Sequence, residues 1–196
     1  MLFRGNYTMI KNILEYFDET VKNKSEKVAV IDGEREITFL GLSQSAKALS
    51  IQLCQVCTNQ IRRPIAVFMA KSIESVVSDL GIIYSGNAYM NLDVKTPLER
   101  IKNILDLVDP LCIITDTAHQ QALNTVWPAE KTLLINPDLS LLTAENEDAL
   151  YENLEQLIDT DPLCLINTSG STGTPKSVIL NHKSFIDFTE WAISTT

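Results

Sequence analysis

A run of small, hydroxyl-bearing residues that ends in a lysine is the part of this sequence best suited to chemistry. It lies within segment 163–182, which reads LCLINTSGSTGTPKSVILNH. Gly170 and Gly173 can adopt positive φ and let backbone N–H groups approach a ligand closely. The surrounding hydroxyls add donors, and Lys176 adds a full positive charge. Donors, a permissive backbone and one cation are the features that a polyphosphate needs.

Glycine, serine and threonine also make flexible linkers and ordinary turns, so composition alone leaves both interpretations open. The apolar runs 163–167 and 178–180 predict two strands joined by a tight loop, which favours a binding loop over a linker. The nearest rival is the Walker A pattern, G-x-x-x-x-G-K-[ST], which Lys176 and Ser177 imitate. That pattern needs glycine where this chain has Pro175, and it needs a helix rather than a strand afterwards. A Walker A loop is therefore excluded.

The rest of the chain alternates between helix-like and strand-like patterns. Apolar residues spaced by three and four predict helices near 10–21, 39–53, 72–86 and 97–108. Apolar runs predict buried strands at 65–70, 88–92, 111–115 and 132–136. We also expect a cap at Ser72, a capping box at 96–99 and a final helix from Ser184. Repeated β-α-β units imply an α/β fold, a doubly wound, largely parallel sheet with flanking helices.

The ordered string TSGSTGTPK followed by S-V-x-x-x-H resembles the signature loop of the AMP-forming, acyl-adenylating enzymes. These include acyl-CoA synthetases, luciferases and the adenylation domains of nonribosomal peptide synthetases. The family pattern has glycine after the lysine, where this chain has Ser177. His182 matches a histidine position that follows the family loop, and for it we expect a structural or capping role.

Two earlier segments strengthen this resemblance. Segment 85–105 is similar to the second core motif of amino-acid-activating adenylation domains, and segment 37–53 is similar to their looser first motif. The positions of segment 85–105 that match are Gly86, Ala88, Tyr89, Leu92, Asp93, Pro97, Glu99 and Arg100. We interpret Asp93 and Arg100 as a turn acid and a helix-surface base. Tyr89 and the Pro-x-x-Arg feature formed by Pro97 and Arg100 favour the amino-acid branch of the family over the fatty-acid branch.

The resemblance implies a two-step ligase. A carboxylate, for which we favour an amino acid, attacks the α-phosphorus of ATP and gives an acyl-adenylate and pyrophosphate. The thiol of CoA, or of a carrier protein's phosphopantetheine arm, then takes the acyl group. We expect Lys176 to be catalytic and Mg²⁺ to assist. The expected ATP-binding residues are Thr168, Ser169, Gly170, Ser171, Thr172, Gly173, Thr174 and Lys176.

Members of this family are much longer, so residues 1–196 are expected to form only part of the large N-terminal domain. The later part of that domain and the mobile C-terminal domain would be absent. Alone, such a chain should be inactive and should fold poorly, because its sheet would have an exposed edge and uncovered apolar faces. The competing hypothesis is a noncatalytic piece, such as a split-gene remnant, a partner-binding module or half of an enzyme assembled with a second chain. A phosphotransferase using the same loop would instead yield ADP.

Charge and cysteine content restrict the partners and the compartment. The chain has 16 basic and 25 acidic residues and a formal charge of −9, which argues against nucleic acid or an anionic membrane as a partner. The acidic segment 144–161 is interpreted as a solvated helix face rather than a metal site. Cys54 and Cys57 form a C-x-x-C without a second pair to complete a zinc site. No apolar run approaches the length of a membrane span, and segment 1–17 lacks the continuous apolar stretch of a signal peptide. We therefore predict a cytoplasmic protein without a metal site.

Overall fold

Strands and helices alternate along most of the chain in the computed structural model, which describes residues 10–169 and 175–195. The strands of these residues are β1 (Val28–Asp32), β2 (Arg35–Thr38), β3 (Pro64–Phe68), β4 (Ala88–Asn91), β5 (Ile113–Thr115), β6 (Thr132–Leu134), β7 (Pro162–Ser169) and β8 (Pro175–Asn181). The α-helices are α1 (Leu14–Lys24), α2 (Phe39–Val56), α3 (Ile73–Tyr84), α4 (Leu98–Val108), α5 (Thr117–Leu123), α6 (Ala144–Glu155) and α7 (His182–Thr195). The predicted strand and helix segments are all present.

The main sheet has six strands in the order β6-β5-β3-β4-β7-β8, and β1 and β2 form a separate antiparallel pair. All neighbours in the main sheet are parallel except β7 and β8, which form an antiparallel hairpin. The prediction of a largely parallel sheet is therefore confirmed. Because β7 runs parallel to β4, its carboxyl end lies at the same edge of the sheet as the carboxyl ends of β3 and β4.

Both faces of the sheet are covered by helices, as successive residues of β3 demonstrate. Ile65 and Val67 pack with apolar residues of α2 and α3, whereas Ala66 and Phe68 pack with residues of α4 and α5. Side chains alternate between the two faces of a strand. A strand buried on both sides must therefore be apolar throughout, which is why β3 has no polar position.

The N-terminal ends of α3, α4 and α7 can be compared with the predicted caps and starting residues. Ser72 caps α3 as predicted and forms a reciprocal capping box with Ser75. The capping box predicted at 96–99 was wrong, because Pro97 has an extended backbone (φ −53°, ψ 136°) and α4 begins at Leu98 without a side-chain cap. Helix α7 begins at His182, two residues earlier than predicted.

Two classes of feature were not found in the described part of the chain. None of its helices combines the length and apolar character needed to cross a lipid bilayer. Nor do residues 10–169 and 175–195 bring together three or more His, Cys, Asp or Glu side chains that could hold a metal ion.

Candidate functional site

The two strands of the β7–β8 hairpin bring the ends of the predicted phosphate loop together. Thr168 lies opposite Lys176 in the strand register, and the Thr168 hydroxyl donates to the Lys176 carbonyl at 3.3 Å. The Lys176 side chain is exposed, and it makes no ion pair with any described residue. A lysine amine at this position is therefore available to an anionic ligand.

The structure locates three of the predicted site residues. Thr168 and Ser169 end β7, and Lys176 is the second residue of β8. The other predicted residues lie outside the described part of the chain, namely Gly170, Ser171, Thr172, Gly173 and Thr174.

A side-chain hydrogen bond that sequence reasoning missed joins the hairpin strands one position further from the loop. Ser177 Oγ donates to Asn167 Oδ1 at 2.7 Å, and these two residues are also paired in the strand register. The amide nitrogen Nδ2 of Asn167 is buried and has no acceptor among the described residues. Ser177 was singled out by its departure from the family pattern, but nothing in the sequence pointed to its partner.

A cavity of about 390 Å³ adjoins this bond, between the end of β4, the first turns of α4 and β7. Asn167 lines it together with Asp93 and Arg100. Asp93 accepts a hydrogen bond from the Lys95 backbone N–H at 2.9 Å, which agrees with its interpretation as a turn acid. Arg100 is exposed on α4, as predicted, but it also lines the cavity. The fold thus brings Asp93 and Arg100 of the second motif to the same cavity as Asn167, next to the start of the loop.

Comparison with known proteins assigns the chain to a family. Residues 17–196, which are nearly the whole chain, match the family described as AMP-binding enzyme. The chain belongs to the AMP-binding enzyme family. The likeness noted for the three sequence motifs is therefore confirmed at the level of the family.

The chain is also similar to individual curated proteins, and its fold is similar to that of a solved structure. Tyrocidine synthase 1 of Brevibacillus parabrevis is 29% identical over 179 residues, which cover 90% of this chain and 16% of that protein. The D-alanine–D-alanyl carrier protein ligase of Lactiplantibacillus plantarum is 28% identical over 95% of this chain and 35% of its own length. The N-terminal subdomain of NpsA from Klebsiella oxytoca, solved with 3-hydroxybenzoyl-AMSN, superposes with a TM-score of 0.66 at 24% identity over 89% of this chain and 42% of that one. The chain thus spans less than half the length of each of these relatives.

His182, the histidine that follows the AMP-binding family loop, is part of the packing of α7. Its side chain is 1% exposed, and its Nδ1 accepts a hydrogen bond from the Ile13 backbone N–H at 3.3 Å. Burial lowers the pKa of His182, although the nearby Asp161 charge opposes this effect. A neutral, buried imidazole that accepts a backbone hydrogen bond supports the structural role that we expected.

A second cavity of about 710 Å³ lies across the carboxyl ends of β3 and β4 and contains a perturbed carboxyl group. Asn91 Nδ2 donates to Asp79 Oδ2 at 3.0 Å, and Asp79 Oδ1 is buried without a partner among the described residues. Burial raises the pKa of Asp79 to about 7, and the Asn91 hydrogen bond only partly offsets this effect.

We predict that Asp79→Asn makes the protein more stable than the parent at alkaline pH. The folded-state pKa of Asp79 lies above its unfolded value of 3.8. Stability from the neutral acid is therefore complete below the unfolded pKa and is lost as pH rises through about 7. When the pH is raised from about 5 to about 8.5, the free energy of unfolding of the variant should increase by about 1–3 kcal/mol relative to that of the parent. Urea unfolding measures this difference. The exposed Asp106→Asn change is the control, and an equal gain in both variants would contradict the prediction.

Proposed function

We propose that the protein carrying this chain activates a carboxylate as an acyl-adenylate, with ATP as the second substrate and pyrophosphate as the product. The observation that carries the proposal is the hairpin register, in which Thr168 lies opposite Lys176 at the two ends of the glycine-rich loop, and Lys176 is exposed and makes no ion pair with a described residue. Membership of the AMP-binding family supports the same chemistry.

The first step joins two anions, which is the difficulty that the loop would overcome. A carboxylate oxygen attacks the α-phosphorus, a new P–O bond forms, and the bond to the bridging oxygen breaks as pyrophosphate leaves. The β- and γ-phosphates must be held still and their charge must be offset during this step. We assign that role to the amides and hydroxyls of 168–174 and to the Lys176 ammonium group.

The names of two similar proteins support a proposal for the substrate and the acyl acceptor. One relative is named for loading D-alanine onto a carrier protein, and another is a tyrocidine synthase. We therefore favour an amino acid as the carboxylate and a carrier-protein phosphopantetheine thiol, rather than CoA, as the acceptor. We expect Mg²⁺ to accompany the phosphates of ATP. We assign no step to the ion.

The product of ATP cleavage tests the reaction class. With ATP, a panel of amino acids and hydroxylamine as a trap, the protein should form AMP, pyrophosphate and an acyl hydroxamate. Formation of ADP would instead identify a phosphotransferase and overturn the proposal. The 196-residue chain by itself is expected to be inactive, and robust ATP–pyrophosphate exchange by it would refute that expectation.

Large apolar side chains exposed on β8 and α7 favour the alternative of a partner-binding piece. Ile179, Phe188 and Trp191 are each at least 60% exposed. The Phe188 and Trp191 rings lie 5.8 Å apart, and adjoining exposed apolar groups are typical of surfaces that another protein covers. If the protein with every available partner chain forms no acyl-adenylate, this alternative replaces the enzymatic proposal.

A further inference from the structure

We propose that Asn167 is an ATP ligand whose side chain is oriented by Ser177, so that its amide N–H group donates to a phosphate oxygen. This inference rests on the proposed function, because it requires the loop to bind ATP. It adds two residues outside the predicted set 168–176, and both come from the structure rather than from the pattern of the loop.

The first observation is the orientation of the Asn167 amide. Its Oδ1 accepts the 2.7 Å hydrogen bond from Ser177 Oγ, so its Nδ2 faces away from that hydroxyl. Burial of an N–H donor without an acceptor costs free energy, and native structures satisfy nearly all such groups. Nδ2 is buried and has no acceptor among the described residues. A ligand oxygen would complete its hydrogen bonding.

The second observation is the location of Asn167. Asn167 lines the 390 Å³ cavity and is the residue immediately before Thr168, the first residue of the predicted loop. The cavity is also lined by Arg100, a cation, and by the first turns of α4, whose N-terminus carries a partial positive charge. Asp93 is the acidic residue of this lining, and the Lys95 backbone N–H already occupies one of its oxygens. These groups make the cavity suitable for an anionic group.

The third observation links Asn167 to the departure from the family pattern. The family loop has glycine where this chain has Ser177, and glycine has no hydroxyl to hold the Asn167 amide. Ser177 is therefore a positioning residue: without its hydroxyl the Asn167 side chain would be free to rotate, and its donor would no longer be fixed toward the ligand.

Asn167→Asp is the decisive variant because aspartate has the same shape as asparagine. It keeps an oxygen to accept from Ser177, but it replaces the N–H donor by a charged oxygen that repels phosphate. We expect the affinity for ATP, and for inorganic tripolyphosphate, to fall by at least about tenfold, which is the size of effect typical of a hydrogen bond to a charged group. Adenosine is the control ligand and should be unaffected.

Asn103→Asp is the matched control protein, since it adds the same charge on the exposed surface of α4 outside the cavity lining. Its affinity for ATP should match that of the parent. A fall of equal size in both variants would attribute the effect to net charge and would overturn the inference.

A double-mutant cycle tests the positioning role of Ser177. Ser177→Ala should weaken ATP binding several-fold when Asn167 is present, but it should have no further effect in an Asn167→Ala background. Additive losses would show that Ser177 acts independently of Asn167, for example only by joining the strands.

A measurement on the unsubstituted protein keeps the test valid if a variant fails to fold. In protein labelled with ¹⁵N, the side-chain amide resonance of Asn167 should shift on addition of ATP and of tripolyphosphate. If ATP does not bind the parent protein at all, the proposed function of the loop fails. If ATP binds the parent and Asn167→Asp equally well, or the Asn167 resonance does not move, only this inference fails.

Discussion

Replacement of Lys176 by alanine should slow ATP–pyrophosphate exchange by more than about tenfold in an active protein that carries this chain. The lysine is exposed at the end of the loop and makes no ion pair with a described residue, so the substitution removes a charge without disturbing a protein contact. Its ammonium group would offset phosphate charge that the attacking carboxylate must approach. The measurement is the exchange rate at saturating carboxylate over a range of ATP concentrations.

Lys183→Ala is the control for this experiment. Lys183 is also exposed, and its amine lies 3.5 Å from Asp187 in a surface pair one helical turn apart. Such pairs contribute little to stability. The control variant should keep the parent exchange rate. An unchanged rate in Lys176→Ala would remove that residue from the mechanism.

Replacement of Gly81 by valine should lower the free energy of unfolding by about 2–4 kcal/mol, because helices α2 and α3 cross closely at this glycine. A Cβ atom at Gly81 would lie 3.0 Å from the Ala46 carbonyl oxygen and 3.0 Å from Leu49 Cδ2. The carbonyl belongs to the helix backbone and cannot move aside without separating the helices. Urea unfolding monitored by circular dichroism measures the loss.

Gly41→Val is the matched control, since Gly41 also lies in a helix. A Cβ atom there would first meet Ile37 Cγ1 at 3.2 Å, and this atom belongs to a side chain that can rotate. We expect a loss below about 1 kcal/mol for the control. Equal losses in the two variants would mean that valine in a helix, rather than the helix crossing, causes the effect.

Much of the fold could be predicted from the sequence because the burial of each element leaves a distinct pattern. Strand β3 is covered on both faces and is apolar throughout, while α2 buries one stripe and repeats its apolar residues at steps of three and four. The cap of α4 could not be predicted in this way. The pattern Thr-Pro-Leu-Glu fits a capping box, but the backbone of Pro97 is extended, so the helix starts one residue later.

The candidate site was only partly predictable. Glycines, hydroxyls and a lysine in one loop indicate phosphate binding by their chemistry, but Asn167 lies in a strand, where asparagine carries no specific signal. Its pairing with Ser177 depends on the strand register, in which Thr168 pairs with Lys176 and Asn167 therefore pairs with Ser177. Asp79 was missed because helical periodicity reports apolar residues and does not indicate that a carboxyl group shares their buried face.

The unequal attachment of the β7–β8 hairpin to the sheet has a consequence for local unfolding. β7 and β8 pair along their whole lengths, whereas β4 and β7 share a single registered pair, Tyr89 with Cys164. Segments joined to their neighbours by few backbone hydrogen bonds tend to open as cooperative units. We therefore expect the amide protons of strands β7 and β8 to exchange with deuterium together, and faster than those of β3, because the two strands can open while the central sheet stays closed.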